Sequence, residues 1–311
     1  MNFLKKFLII LFLIFLNIEN SYTFENKILF KVENEIITTI DIYEEIKFLK
    51  KFNPEINSLN ETDLFEISKN SILKDRIKKI EIMNFANELK VDDKFLLKLI
   101  KSRYSKISFN TLEDFENYLK QNNLDTEIIR EKFTIELMWN DLIYQKFYKK
   151  IIINKEQIKK DIINSPHKEK QKELLLSEIV FTRSNKVDFK NKYEKILLDI
   201  DKIGFKKAAL IHSESSTASS GGLIGWVKVN NLNKTIKKII SKLEPGQFSE
   251  PIRTSSGFII IKIEEEKEYV SKLNLEDKVE EVVIFKTNEQ LDQFSNMYFN
   301  KLKKDLTIYD L

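Results

Sequence analysis

Cysteine is absent from this 311-residue sequence, and histidine occurs only as His167 and His212. Without cysteine no disulfide can hold the chain together, so its stability must come from apolar burial. Two histidines are too few for a zinc cluster and leave little scope for a Ser-His-Asp arrangement. The sequence therefore argues against metal-dependent hydrolysis and triad chemistry, and we expect neither a metal site nor a cofactor.

Glycine is also scarce, with 6 residues in the whole chain, and three of them lie in SSGGLIGWV, residues 219–227. No glycine-rich phosphate-binding motif is present, so ATP is not an expected ligand. The 52 basic and 48 acidic residues nearly cancel, giving a formal net charge of +4. Because so small an excess creates no large basic field, nucleic acid is not an expected partner.

The N-terminus carries one short apolar run. FLIILFLIFL, residues 7–16, follows Lys5 and Lys6 and precedes the polar NIENSYT. A basic start, a short apolar segment and small residues after it are typical of a secretory signal peptide. We expect residues 1–23 to be that signal and to be cleaved near Thr23. The alternative is that the run is retained as an N-terminal membrane anchor, although ten apolar residues are short for the ~30 Å hydrocarbon layer.

Apolar spacing divides the remainder into two regions of different character. Residues 24–165 begin with a short strand pair, ILFKVENEIITT, and continue with apolar residues at helical spacing. Residues 174–267 alternate strand and helix, with LLLSEIVF and FIIIKI as the two strong strands. In the tail, residues 268–311, EEVVIFK is predicted as a strand and NEQLDQFSNMYFNKLKKDL as a helix. The expected class is α+β, with a mostly helical N-terminal domain and a small domain whose helices pack on an antiparallel sheet.

Five segments of the second region follow one another in a recognisable order. They are SEIVF, IHSES, GGLIGWV, PGQFSEP and SSGFIII, all between residues 174 and 267. Each is weak alone, but together they resemble the parvulin family of peptidyl-prolyl isomerases. In this setting Gly221 and Gly222 are expected to turn the chain with positive φ, and Gly225 to allow close packing beside Trp226.

The first region adds a second resemblance. KVENEIITTIDIYEEI, and the later FENYLKQNNLDTEIIREKFTIELMWNDLI, resemble segments of SurA-type periplasmic chaperones. The resemblance implies a periplasmic protein whose partners are unfolded or extended polypeptides, those of the outer membrane above all. It also implies that residues 268–311 pack on the N-terminal domain.

The parvulin resemblance assigns site residues position by position. The two family histidines fall on Glu178 and Ile259, and the family Cys or Asp falls on Ser215. The apolar proline shelf falls on Leu232 and Ile236. Trp226 completes the predicted substrate-binding set, with Glu178 and Ser215 as candidate catalytic groups. His212 stands where the family has Tyr or Phe, and its ordinary role would be that of a helix-end residue.

Loss of both family histidines leaves three functions open. A chaperone would hold extended chains in apolar grooves, with isomerase activity weak or absent. An isomerase with an unusual pocket would still speed proline-limited folding, as the retained shelf and glycine loop suggest. A membrane-tethered relative would keep residues 7–16 attached.

Overall fold

The computed structural model describes residues 26–310 except 105–106, 108, 165–170, 183–185 and 271–273. The predicted signal peptide, residues 1–23, and His167 lie outside the described residues. The described helices are α1 (Thr39–Phe52), α2 (Glu61–Met83), α3 (Asp93–Arg103), α4 (Leu112–Gln121), α5 (Thr126–Phe147), α6 (Lys155–Asn164), α7 (Lys186–Ile203), α8 (Phe205–His212), α9 (Lys234–Ile240) and α10 (Leu275–Asp305). The described strands are β1 (Ile28–Val32), β2 (Glu35–Thr38), β3 (Gln171–Phe181), β4 (Leu223–Lys228), β5 (Ile252–Thr254), β6 (Gly257–Tyr269) and β7 (Ile308–Asp310).

The strands form two antiparallel sheets. The small sheet has the order β2-β1-β7, so the end of the chain pairs with its N-terminal hairpin. The larger sheet has the order β4-β3-β6-β5, with β3 and β6 as its long central pair. The predicted α+β class, with helices packed on an antiparallel sheet, is confirmed.

Local sequence signals fix the first helix. The Thr38 hydroxyl accepts a hydrogen bond from the Asp41 backbone N–H, and the Asp41 carboxylate accepts one from the Thr38 N–H at 2.8 Å. This reciprocal pair is a capping box, the helix start that the spacing Thr38-x-x-Asp41 predicts. The helix ends at Phe52, two residues before Pro54, as a helix must when proline cannot continue it.

Apolar clusters hold the helical region together and extend beyond it. Phe48, Phe115 and Phe133 are buried in one cluster, which also receives Leu210 from α8. A second cluster surrounds Trp139 and includes residues of both the small sheet and α10. The described part of the chain contains no helix with the combined length and apolar character needed to cross a bilayer.

One secondary-structure prediction is wrong. EEVVIFK, residues 280–286, lies inside the 31-residue helix α10 rather than in a strand. Asn274 caps this helix by accepting a hydrogen bond from the Asp277 N–H at 2.9 Å. Val282 and Val283 then pack against Ile158 of α6. Tertiary packing therefore overrides the strand preference of this β-branched run.

Candidate functional site

One face of the larger sheet gathers most of the predicted site. Residues two apart on a strand share a face, and so do directly paired residues of antiparallel strands. Glu178 of β3 pairs with Ile261 of β6, and Val180 pairs with Ile259. Glu178 and Ile259 therefore lie on the same face of the sheet, one register step apart.

The proline shelf lies against that face. Leu232 is buried in a cluster with Ile252 and Ile261, and Ile236 and Ile259 pack on the same cluster. Asn233 caps α9 by accepting a hydrogen bond from the Ile236 N–H, which holds the helix bearing Ile236 close to the sheet. The structure thus brings Glu178, Ile259, Leu232 and Ile236 to one side of the sheet.

Trp226 is placed elsewhere. It pairs with Leu175 of β3, whose neighbours Leu174 and Leu176 belong to the shelf cluster. Because successive strand residues point to opposite faces, Trp226 lies on the other face of the sheet. Trp226 is 39% exposed, and the centroid of its ring lies 3.8 Å from Lys267 Nζ. The structure does not bring Trp226 together with the shelf residues.

A chain of hydroxyl groups leads to Glu178. The Ser213 and Ser215 hydroxyl oxygens are 2.9 Å apart, and those of Ser215 and Thr217 are 2.7 Å apart. Thr217 donates in turn to the Glu178 carboxylate at 2.9 Å. Ser215 is only 2% exposed, so its hydroxyl belongs to this network rather than to an open surface. The two candidate catalytic residues, Glu178 and Ser215, are thereby connected through Thr217.

Burial raises the pKa of Glu178 to about 7, and the negative charge of Asp292 acts in the same direction. The hydrogen bond from Thr217, the nearby Ser215 hydroxyl and the charge of Lys74 oppose the rise, because each favours the carboxylate. A carboxyl group with a pKa near neutrality can act as a hydrogen-bond donor or an acceptor. Ile259, the other family histidine position, offers neither.

The glycine-rich turn holds the same strand. Gly221 and Gly222 have φ values of 66° and 79°, the positive φ that the sequence predicts for them. A Cβ on Gly222 would lie 2.2 Å from the Glu178 carbonyl oxygen, so the turn needs glycine there for close approach as well. Apart from its two chain neighbours, nothing lies within 4 Å of a Cβ placed on Gly225, so the close packing expected beside Trp226 stays a prediction. The φ of 106° at Gly225 is the reason for glycine.

Helix α10 crosses the shelf, a feature that the sequence interpretation missed. Phe285 packs on the shelf cluster. Four residues before it, Glu281 accepts hydrogen bonds from Lys228 at 2.5 Å and from Asn231 at 3.2 Å. Further along, Gln293 accepts one from Ser255 at 2.6 Å. The strand prediction for residues 280–286 concealed this contact, because a helix brings Glu281 and Phe285 within one turn of each other, whereas a strand would separate them by four residues of extended chain.

Behind the hydroxyl chain lies a cavity of about 580 Å³. It is bounded by helices of the N-terminal region, by the segment from Leu210 to Ser219 and by α10. Lys74 of α2 reaches across and donates to the Ser215 carbonyl oxygen at 2.6 Å. Burial, and next the charge of Lys78, lower the pKa of Lys74 to about 7.

His212 lines the cavity rather than the shelf. Its Nε2 lies 2.6 Å from an Asp199 carboxylate oxygen, and burial lowers the pKa of the imidazole. Position at the end of α8 and pairing with α7 fit the ordinary role expected for it. Within the described ranges, no group of three or more histidine, aspartate or glutamate side chains is arranged to hold a metal ion.

Comparison with known proteins identifies a family and relatives that this chain matches. Residues 170–265 match the rotamase family, described as the PPIC-type PPIase domain. The Chaperone SurA of Hahella chejuensis is 26% identical over 193 residues, which are 60% of this chain and 44% of that protein. The Chaperone SurA of Xanthomonas euvesicatoria is 33% identical over 89 residues, 29% of this chain and 18% of that protein. The chain thus matches less than half the length of these relatives.

A solved SurA-like chaperone of Campylobacter jejuni is 19% identical, with 92% of this chain and 99% of that one covered. Its TM-score is 0.34, which is too low to add to the assignment. The family match covers the sheet, the shelf, the hydroxyl chain and the glycine turn. Residues 170–265 therefore match the PPIC-type PPIase domain, and the chain that carries them is similar to Chaperone SurA proteins over part of their length.

Proposed function

We propose that the protein is a periplasmic folding factor that binds unfolded outer-membrane polypeptides. In this proposal residues 1–23 are removed on export, residues 24–165 form the helical chaperone domain, and residues 174–267 form the isomerase-type domain. Residues 268–311 connect the two, as the contacts of α10 with Trp139 and with the shelf cluster support. The relatives named Chaperone SurA support the chaperone class.

The isomerase-type domain serves mainly to bind extended chains, and its catalytic activity is weak or absent. Prolyl isomerisation must pass a barrier of ~18–20 kcal/mol set by the partial double bond of the amide. Polar groups placed for the twisted amide lower such a barrier. The observation that carries the proposal is that Glu178 and Ile259 lie on the shelf side of the sheet where the family has two histidines, while Phe285 packs on the shelf cluster.

An active isomerase is the second candidate, and the hydroxyl chain favours it. Glu178 keeps a hydrogen bond from Thr217, and its pKa of about 7 leaves part of the population protonated at neutral pH. A protonated carboxyl group can donate to a carbonyl oxygen or to a developing amine nitrogen. This single group would have to replace both imidazoles.

The test uses residues 24–311 in two parallel assays. One follows the cis-to-trans rate of a short Xaa-Pro peptide with substoichiometric protein, and the other follows aggregation of an unfolded outer-membrane barrel. A Glu178→His/Ile259→His variant restores the family pair and shows whether the pocket can be made catalytic. We expect suppressed aggregation with an isomerisation rate near the uncatalysed ~10–100 s exchange.

The outcomes separate the two candidates. Catalysis by the natural chain that Glu178→Gln abolishes would overturn the binding-only proposal and establish an isomerase. Failure to suppress aggregation would remove the chaperone proposal. Mass measurement of the exported chain distinguishes cleavage near Thr23 from a retained N-terminal anchor.

A further inference from the structure

The cavity between the helical region and the isomerase-type domain contains an unpaired cation. Lys78 of α2 lines this cavity and is only 9% exposed. Among the residues that the structure describes, none forms a hydrogen bond or ion pair with its ammonium group. Its one described partner is the ring of Trp139, whose centroid lies 5.6 Å from Lys78 Nζ. A buried charge without a partner is costly, so this position calls for an explanation.

The acidic residues around Lys78 are already engaged. Asp75 forms an ion pair with Lys132 at 2.6 Å. Glu136 is bound by Arg103, which also donates to the Ser219 hydroxyl at 3.1 Å. Each carboxylate therefore forms its ion pair with another cation, and acts on Lys78 only through its charge.

The cavity as a whole has the same imbalance. Seven lysine or arginine residues line it, against four aspartates or glutamates. Lys74, one turn before Lys78, adds a second cation and is held by the Ser215 carbonyl oxygen instead of by a carboxylate. Lys74 and Lys78 thus lie one turn apart on one helix face, and among the described residues neither forms an ion pair with an acidic side chain.

Size and lining indicate the kind of ligand. A volume of about 580 Å³ lies within the range of ~300–1,000 Å³ usual for ligand pockets. Asn70 and Asn140 supply exposed amide groups that can both donate to and accept from a peptide backbone, and the largely buried rings of Trp139 and Phe299 border the cavity. This mixture suits a short stretch of polypeptide.

We propose that this cavity binds an extended polypeptide segment through a carboxylate, which pairs with Lys78 and lies within the field of Lys74. The inference rests on the proposed chaperone function and gives it a selectivity. Clients are held by apolar contacts in general and are selected in this cavity for a negative charge. The charge comes from an aspartate or glutamate side chain or from a chain's C-terminus.

Three labelled peptides of one seven-residue sequence, composed of Phe and Ser around a variable centre, test the inference by fluorescence anisotropy with residues 24–311. All are N-acetylated. The first has a central Glu and an amidated C-terminus, the second a central Gln and an amidated C-terminus, and the third a central Gln and a free C-terminus. Lys78→Met removes the charge and retains most of the volume, and Lys98→Met, on the exposed face of α3, is the matched control.

We expect one or both charged peptides to bind about tenfold or more tightly than the neutral one, as a hydrogen bond to a charged group would provide. Lys78→Met should bring that ratio close to one, and Lys98→Met should leave it unchanged. Tighter binding of the peptide with the central Glu would identify a side-chain carboxylate as the ligand. Tighter binding of the peptide with the free C-terminus would identify a chain terminus. Equal binding of all three peptides to the natural chain, or no binding, would overturn the inference.

Stability gives an independent reading. If the ammonium group of Lys78 has no partner in the free protein, Lys78→Met should leave the melting temperature of that protein unchanged or raise it, because an unpaired buried charge is removed. A lower melting temperature would show that Lys78 has a structural partner and would overturn the inference. Aggregation assays run in parallel keep the two proposals apart. Suppressed aggregation without carboxylate selectivity removes only this site, and selectivity without suppression removes only the chaperone function.

Discussion

Glu178 shows how a single residue changes what a shared pocket can do. An imidazole at this position would be neutral or cationic, whereas a carboxyl group is neutral or anionic. Burial raises the pKa of Glu178 to about 7, so the group titrates where the ordinary glutamate pKa of 4.5 would leave it ionised. The pocket therefore becomes more negative between mildly acidic and mildly basic pH, and the ionised carboxylate can no longer donate a hydrogen bond to a twisted amide, whose nitrogen has regained its lone pair.

This shift predicts a pH-dependent stability. The raised pKa means that the folded chain binds a proton more tightly than the unfolded chain, so the stabilisation is present below about pH 4.5 and is lost as pH rises to about 7. Glu178→Gln cannot ionise. We therefore compare the free energy of unfolding of Glu178→Gln with that of the natural chain at each pH. The difference should favour the variant more at pH 8 than at pH 5, by about 1–3 kcal/mol.

Urea unfolding at the two pH values measures that difference. Glu265→Gln on the exposed part of β6 is the control, with the same small effect expected at both. A Glu178→Gln effect that does not vary with pH would show that the carboxyl group is solvated in the folded state.

At the scale of elements, α10 is where sequence and structure differ most. The capping box of α1, the strand pair β3–β6 and the turn at Gly221 and Gly222 follow from local signals, and all were predictable. The run from Glu280 to Lys286 was not, because its β-branched residues favour a strand in isolation. The packing of Val282 and Val283 on α6, the cap at Asn274 and the contact of Phe285 together stabilise the helix. The burial of Lys78 could not be predicted for a related reason, since periodicity alone treats a lysine as exposed.

The contact between α10 and the shelf predicts a specific effect of Phe285→Ala. Truncation removes apolar surface from the cluster that contains Leu232, so the free energy of unfolding should fall by about 1–3 kcal/mol. Withdrawal of the ring also uncovers the shelf. A proline-containing peptide should therefore bind more tightly to the variant than to the natural chain.

Ile284→Ala is the matched control, because Ile284 is 53% exposed on the same helix. We expect it to cost less than about 1 kcal/mol and to leave peptide binding unchanged. Binding data for proline peptides, taken beside urea unfolding for both variants, make the comparison. Equal peptide affinity in Phe285→Ala and the natural chain would mean that α10 does not limit access to the shelf.

At the scale of the whole molecule, α10 and β7 connect regions that are distant in sequence. Phe299 of α10 packs in the cluster around Trp139, Phe285 packs on the larger sheet, and β7 completes the small sheet beside β1. Direct contacts add to this connection, since Leu210 of α8 is buried in the cluster around Phe48, and Lys74 reaches Ser215. The helical region and the isomerase-type domain therefore share stabilising contacts, and the cavity between them depends on those contacts.

Removal of α10 should uncouple the two regions. A chain ending at residue 270 loses the helix together with β7, which exposes Trp139 on one side and the Leu232 shelf on the other. We expect increased binding of a hydrophobic dye and two separate thermal transitions, the lower one from the helical region. A chain ending at residue 306, which lacks β7 and keeps α10, should melt in one transition at a modestly lower temperature. Calorimetry of the three chains distinguishes the cases. A single transition at an unchanged temperature in the shorter chain would show that the contacts of α8 and Lys74 alone join the two regions.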